Sequence, residues 1–173
     1  MAPLSSRHLR FLLLDEFLGS ILVNLLLNGA IAFGVVRTLG SVPLWGVTSI
    51  AADTVGTAFI LPVLTSFFTG LLVRAQVVRR LLPPLPPASL RSAFSQRHWL
   101  QRGALLGLAS IAAAAVPVIA VFALCGPATL GARAFIVFKA TFAAALGAVV
   151  TPLLGWWALE EASGDGPGPL ARP

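Results

Sequence analysis

The sequence predicts an all-α membrane protein whose four transmembrane helices form two antiparallel hairpins. Of the 173 residues, 57% are hydrophobic and only 10% are charged, and the mean hydropathy is +0.91. A water-soluble domain carries about 25% charged residues, because its surface must be polar. The apolar stretches do not alternate between apolar and polar residues, which favours helices over a transmembrane β-barrel.

The four predicted helices follow from the length of the apolar stretches. A bilayer core about 30 Å thick is crossed by about 20 helical residues. Stretches of at least this length occupy residues 17–36, 45–73, 103–125 and 134–157. The first and third connections are short, so each joins its two helices into an antiparallel hairpin. We therefore expect residues 1–173 to form one membrane domain.

The first stretch has an alternative interpretation as a cleaved signal peptide. Basic residues precede it, and residues 30–32 (Ala-Ile-Ala) are similar to a small-residue cleavage site. However, Asp15 and Glu16 stand directly before the apolar run, and Asn24 and Asn28 interrupt it. These polar residues favour a retained transmembrane helix.

The distribution of arginine predicts that both termini lie in the cytoplasm. Nine arginines lie in the two terminal segments and in the long connection at residues 74–102, whereas the two short connections hold only Arg37 and Arg133. Positive residues accumulate on the cytoplasmic side of membrane proteins. We therefore expect a multi-pass protein of a bacterial inner membrane, with its basic connection facing the anionic lipid of the inner leaflet.

The long connection and the C-terminal tail lie outside the predicted spans. Prolines between positions 83 and 87 favour an extended polyproline II spacer, with a partner-binding motif as the alternative. Residues 89–102 mix apolar side chains with arginines, which predicts a short helix lying on the inner leaflet. Residues 162–173 are rich in glycine and proline and are expected to form a disordered tail.

Polar side chains inside the apolar stretches mark the candidate site, because each costs a few kcal/mol in hydrocarbon. Several recur at every fourth residue and so share one face of a helix. Lipid disfavours such faces, so we expect them to converge inside the bundle, with small residues such as Gly34 and Gly56 allowing close helix approach. The candidate site residues are Asn24, Asn28, Asp53, Thr57 and Lys139.

Asp53 and Lys139 are expected to form an ion pair. Asp53 is the only acid within the predicted spans, and Lys139 is the only lysine in the chain. Counted from the span ends, both lie roughly 10 Å from the outer surface, at about the depth of Asn28. A paired charge is cheaper in a low dielectric than an isolated one. We predict this pair, with Asn28 hydrogen-bonded to one member. The alternative is that Lys139 extends to the headgroups and leaves Asp53 neutral.

Two functions are compatible with this polar layer. In a small permease or transporter, expected to be a homodimer, the layer opens to a cavity and Asp53 binds a cation or relays a proton. In a structural or accessory protein, the pair fixes helix packing, and the helices or the proline-rich connection bind a membrane partner.

Several chemistries are not expected. The chain offers no nucleophile–base pair or redox dithiol, so an enzyme is not expected. Cys125 is the single cysteine, and the two histidines, His8 and His98, are far apart in the sequence. We therefore expect no metal site and no other cofactor. The composition also lacks the polar, basic exterior of a soluble nucleic-acid-binding protein.

Two segments carry a resemblance to known proteins, residues 41–46 (Ser-Val-Pro-Leu-Trp-Gly) and residues 53–65 (Asp-Thr-Val-Gly-Thr-Ala-Phe-Ile-Leu-Pro-Val-Leu-Thr). They are similar to small bacterial four-span inner-membrane proteins of unassigned activity that are loosely described as permeases. The similarity covers about the first hairpin. It implies a permease-like membrane protein and carries over no catalytic or binding residue.

Overall fold

A computed structural model describes residues 5–85, 93–94 and 96–164. Four of its helices are long and apolar enough to cross a membrane. They are α1 (Ser6–Leu39), α2 (Ile50–Val78), α3 (Trp99–Cys125) and α4 (Ala132–Gly164). Two short strands, β1 (Ser41–Pro43) and β2 (Thr129–Gly131), pair in antiparallel fashion. The prediction of a four-helix, almost entirely α-helical membrane protein is confirmed.

The helix bounds differ from the predicted spans because capping residues, rather than hydropathy, set them. α1 begins at Ser6, where the hydroxyl of Ser5 accepts a hydrogen bond from the backbone N–H of His8. α2 begins at Ile50 rather than at residue 45, because the Ser49 hydroxyl caps it by accepting from the backbone N–H of Ala52 at 3.1 Å.

The start of α3 and the end of α4 also differ from the predicted bounds. α3 begins at Trp99 rather than at residue 103. α4 continues to Gly164, so the first residues of the predicted disordered tail are helical, and the rest of that tail lies outside the described residues.

The described part of the connection between α2 and α3 contains turns and packs against the bundle. Residues 93–94 and 96–97 form turns and a bend rather than the predicted surface helix. The described start of the proline-rich segment is not a free spacer, because Leu82 and Leu85 are buried in a hydrophobic cluster with Phe11. The backbone N–H of Leu85 also donates to the Ser163 hydroxyl at 2.8 Å. The remaining prolines lie outside the described residues.

Helix α4 lies at the centre of the packing. Helices α1 and α2 each pack along it, and α3 packs along α2. α4 is the most buried of the four helices and α3 the least. The predicted hairpins are α1–α2 and α3–α4. The most extensive packing is instead between α1 and α4, between α2 and α4, and between α2 and α3.

Glycines allow α3 to approach α2 closely. A Cβ at Gly103 would lie 2.7 Å from the Cα of Val63, and one at Gly107 would lie 2.9 Å from the backbone oxygen of Phe59. As the glycine position advances along α3, its neighbour recedes along α2, so these two helices run antiparallel. Small residues spaced in this way are typical of tightly packed membrane helices.

The strand pair closes one end of the bundle, which we call the sheet end. Val42 pairs with Leu130, and both are buried in a hydrophobic cluster with Val36, Ile50 and Phe135. The opposite end, which we call the loop end, carries the cluster that includes the start of the α2–α3 connection. Both clusters combine residues of α1, α2 and α4, so these three helices meet at each end of the bundle.

Candidate functional site

A groove runs between α1 and α2, and α4 forms its floor. Its cavity volume is about 670 Å³. Lining side chains such as Leu27 and Ile60 are more than half exposed, so the groove opens sideways along the flank of the bundle. All of the predicted site residues line it, namely Asn24, Asn28, Asp53, Thr57 and Lys139.

Asp53 and Lys139 form an ion pair at the sheet end of the groove. Asp53 lies in the first turn of α2, where the helix dipole favours a negative charge. The side chain of Lys139 is only 6% exposed, against 22% for Asp53. The predicted pair is confirmed, and the alternative of an outward-extended lysine is wrong. Asp53 is the more accessible member and the one that the groove can present to a ligand.

Asn24 and Asn28 do not join this pair, and the predicted hydrogen bond from Asn28 to it is wrong. The side-chain nitrogen of Asn28 donates to the backbone oxygen of Asn24 at 3.2 Å, and that of Asn24 donates to the backbone oxygen of Ser20 at 2.9 Å. Each amide finds an acceptor one turn earlier on its own helix, a local bond that competes with one to another helix. The asparagines instead give the α1 wall a polar stripe.

The polar stripe of α1 lies against small residues of α4. A Cβ at Gly147 would overlap the side-chain nitrogen of Asn24, and one at Gly155 would lie 2.9 Å from Cγ of Glu16. These pairs show that α1 and α4 run antiparallel with their polar and small faces in contact. The sequence predicted that polar and small helix faces meet inside the bundle, and α1 and α4 meet in this way. Glycine is needed at these α4 positions because a larger residue would leave no room for the α1 side chains.

A second buried carboxylate lies toward the loop end of the groove. Glu16 is 8% exposed, and its Oε2 has no hydrogen-bond partner in the part of the chain that the structure describes. The hydroxyl of Thr151 is also without one there, and this residue is equally buried. Both residues line the groove. The groove therefore has a partly buried acid, Asp53, near its sheet end and a buried acid, Glu16, toward its loop end, and of these two only Asp53 forms an ion pair.

Sequence reasoning missed Glu16 because the first span was predicted to begin at residue 17. Asp53 is the only acid within the predicted spans, but helix α1 begins before its predicted span and includes Glu16. One signal was available, since Glu16 continues the four-residue spacing of Ser20, Asn24 and Asn28. Glu16 also lies in Phe11–Leu18, a stretch of α1 with π-helical hydrogen bonds. Such irregularities are frequent at functional sites.

Charged residues also connect helices at the loop end. Arg102, which falls in the segment predicted to lie on the lipid surface, is 2% exposed and forms an ion pair with Glu161. Nearby, the indole N–H of Trp156 donates to Glu160 at 2.9 Å. The ion pair joins the start of α3 to the end of α4, so Arg102 belongs to the bundle rather than to a surface helix.

The site contains no obvious metal centre within the described residues, where no three His, Cys, Asp or Glu side chains come together. Comparisons with protein-family models, curated proteins and solved structures find nothing that matches this chain.

Proposed function

We propose that this multi-pass membrane protein is a small permease whose groove takes up an amphipathic organic cation from the lipid. The observation that carries the proposal is the cavity of about 670 Å³ between α1 and α2. Its volume lies within the range of small-molecule sites, which combine an apolar lining with a few polar groups. The groove opens on the flank of the bundle, so a ligand dissolved in the bilayer could enter it without crossing the protein.

The charges of the groove favour a positive ligand. Three acids line it, Asp15, Glu16 and Asp53, against the single base Lys139. Clefts lined by one sign of charge concentrate ligands of the opposite sign. Apolar side chains such as Leu27 and Ile60 would contact the hydrophobic part of the ligand. An amphipathic cation matches both features.

The length of the groove suits passage across a bilayer. Its lining residues on α1 extend from Asp15 to Ile31. At 1.5 Å per residue this distance is about 24 Å, most of the roughly 30 Å hydrocarbon thickness. Polar side chains between the charged ends, including Asn24 and Thr57, would provide intermediate contacts for a moving charge.

We further propose the setting of the permease. The arginine distribution supports a bacterial inner membrane with both termini and the connection at residues 74–102 in the cytoplasm, facing anionic lipid. The sheet end would then face outward. We also propose a homodimer, because four helices leave the groove open on one side, and a second copy beside that side would complete its wall while leaving an entrance from the lipid.

The test is uptake of ethidium, an aromatic organic cation, into liposomes containing the purified protein. We expect uptake above that of protein-free liposomes, its loss in Asp53→Asn, and wild-type uptake in Arg133→Gln, which removes an exposed charge at the same end. Absence of uptake by the wild-type protein would contradict the permease. The accessory-protein alternative predicts this absence, together with a co-purifying partner that is lost when residues 79–87 are deleted.

A further inference from the structure

Asp53 and Glu16, near opposite ends of the groove, differ in how their charge is compensated. The carboxylate of Asp53 is paired with Lys139. Glu16 Oε2 has no hydrogen-bond partner within the described chain, although more than nine-tenths of the residue is buried. An ionised carboxylate without a partner is strongly disfavoured in a low dielectric. Within the described chain, the Glu16 carboxylate is therefore expected either to bind a proton or to pair with a cation that enters the groove.

Among the described residues that line the groove, no free base can serve as a counter-charge for Glu16. The other titratable residues lining the groove are Asp15, on the same helix, and the Asp53–Lys139 pair at the opposite end. From α4, the groups nearest to the carboxylate include Gly155, where a Cβ would lie 3.1 Å from Glu16 Oε2. Among the residues lining the groove, the only base is Lys139, which Asp53 already engages.

Within the described residues no three His, Cys, Asp or Glu side chains come together, so a metal ion at Glu16 would have at most two such side chains as ligands. Hard cations such as Ca²⁺ and Mg²⁺ take six or more oxygen ligands, most of them from carboxylates, carbonyls and water. The free hydroxyl of Thr151 lies in the same groove. A proton needs only one carboxylate oxygen, and Thr151 Oγ1 is a candidate acceptor for the resulting O–H group.

We propose that Glu16 is a proton-binding site of the groove, where a bound proton exchanges with a cationic ligand. In the empty groove Glu16 is a carboxylic acid. When the cation binds, the acid O–H bond breaks, the proton passes to water at the loop end, and the carboxylate pairs with the cation. The charge at the site is the same before and after exchange. The exchange rests on the proposed function, whereas proton binding by Glu16 does not.

Infrared spectroscopy of the purified protein in lipid tests the proton site without any ligand. A protonated carboxyl group has a C=O stretching band separate from that of a carboxylate. At neutral pH we expect this band in the wild-type protein and in Asp53→Asn, and we expect its loss in Glu16→Gln. In Glu16→Asp we expect the band at a shifted frequency. This second variant keeps the test valid if the glutamine variant fails to fold. A band that persists unchanged in folded Glu16→Gln would overturn the proposal, as would a band abolished by adding Na⁺ at constant pH.

Proton release on ligand binding tests the exchange. Ethidium is added to weakly buffered protein while its fluorescence polarisation reports binding and a pH indicator reports released protons. We expect one proton released for each ethidium bound by the wild-type protein and none in Glu16→Gln. Binding without release would overturn the exchange. If ethidium does not bind while the infrared band belongs to Glu16, the proton site stands and the proposed cation permease fails.

Discussion

Removal of the Asp53 charge should destabilise the protein more than removal of the Lys139 charge. Asp53→Asn leaves a lysine side chain that is 6% exposed without its counter-charge, whereas Lys139→Met leaves an acid that is 22% exposed beside the open groove. Breaking a buried ion pair costs about 3–5 kcal/mol. We expect Asp53→Asn to lower the free energy of unfolding by about 3 kcal/mol, the low end of this range, because the amide oxygen still accepts a hydrogen bond from Lys139. We expect Lys139→Met to lower it by about 1–2 kcal/mol, because water can reach the remaining acid.

The double variant separates an ion pair from a neutral hydrogen bond. Hydrogen bonds between membrane helices contribute about 0.6 kcal/mol on average and at most about 1.7 kcal/mol in double-mutant cycles. Asp53→Asn combined with Lys139→Met removes both charges and leaves no unpaired ion, so it should be more stable than Asp53→Asn alone. We expect a coupling energy above about 1.7 kcal/mol, equivalent to more than about 15-fold in the unfolding equilibrium.

The assay is equilibrium unfolding in mixed micelles with increasing dodecyl sulfate, followed by tryptophan fluorescence. Arg133→Gln removes an exposed charge from the same helix as Lys139 and should change the free energy of unfolding by less than about 0.5 kcal/mol. Additive effects of the two single substitutions, with a coupling energy below about 0.6 kcal/mol, would refute the ion pair as an energetic feature of the fold.

Three further predictions concern the framework around the groove. Gly147→Ala should cost about 1–3 kcal/mol because its Cβ overlaps Asn24. The control is Gly34→Ala, whose Cβ meets nothing within 4 Å. Equal melting temperatures of the Gly147→Ala and Gly34→Ala variants would contradict the α1–α4 packing. Ser49→Ala should cost about 1 kcal/mol through loss of the α2 cap, with exposed Thr48→Ala unchanged in the same thermal unfolding experiment. In a Cys125→Ser background, Val42→Cys with Leu130→Cys should form a reducible disulfide, seen as a gel shift. Val47→Cys with Leu130→Cys should not, and cross-linking of both pairs alike would argue against the strand register.

The four helices and the ion pair could be predicted from the sequence because each depends on a property that is independent of packing. A run of apolar residues long enough to span a bilayer has few alternatives to a helix. Lys139 is the only lysine, and few acids were available to compensate it, so charge alone identified Asp53 as its partner.

The details that failed depend on local geometry or on which helix becomes a neighbour. The start of α2 was set by the Ser49 hydroxyl, which a hydropathy window does not register. Gly34 and Gly56 were expected at helix contacts but meet nothing within 4 Å, whereas Gly103 and Gly107 of α3 pack against α2. Small residues allow close approach, but their presence does not say which helix approaches.

Glu16 was missed for a related reason. Its position before the apolar run placed it outside the predicted span, because a charged residue lowers the hydropathy of the window that contains it. The same residue extends the polar stripe of α1 by one turn, and in the folded chain this stripe lies against the glycines of α4. Spacing therefore held more information about the site than hydropathy did.

Labelling of single cysteines tests most directly whether a charged, water-soluble molecule can reach the groove between α1 and α2 within the membrane. Thr57 lines the groove, whereas Val55 lies on the same helix, is exposed, and is not among the residues that line it. In a Cys125→Ser background reconstituted in lipid, a charged, membrane-impermeant thiol reagent should modify Thr57→Cys much faster than Val55→Cys. Equal rates, or faster labelling of Val55→Cys, would contradict the groove.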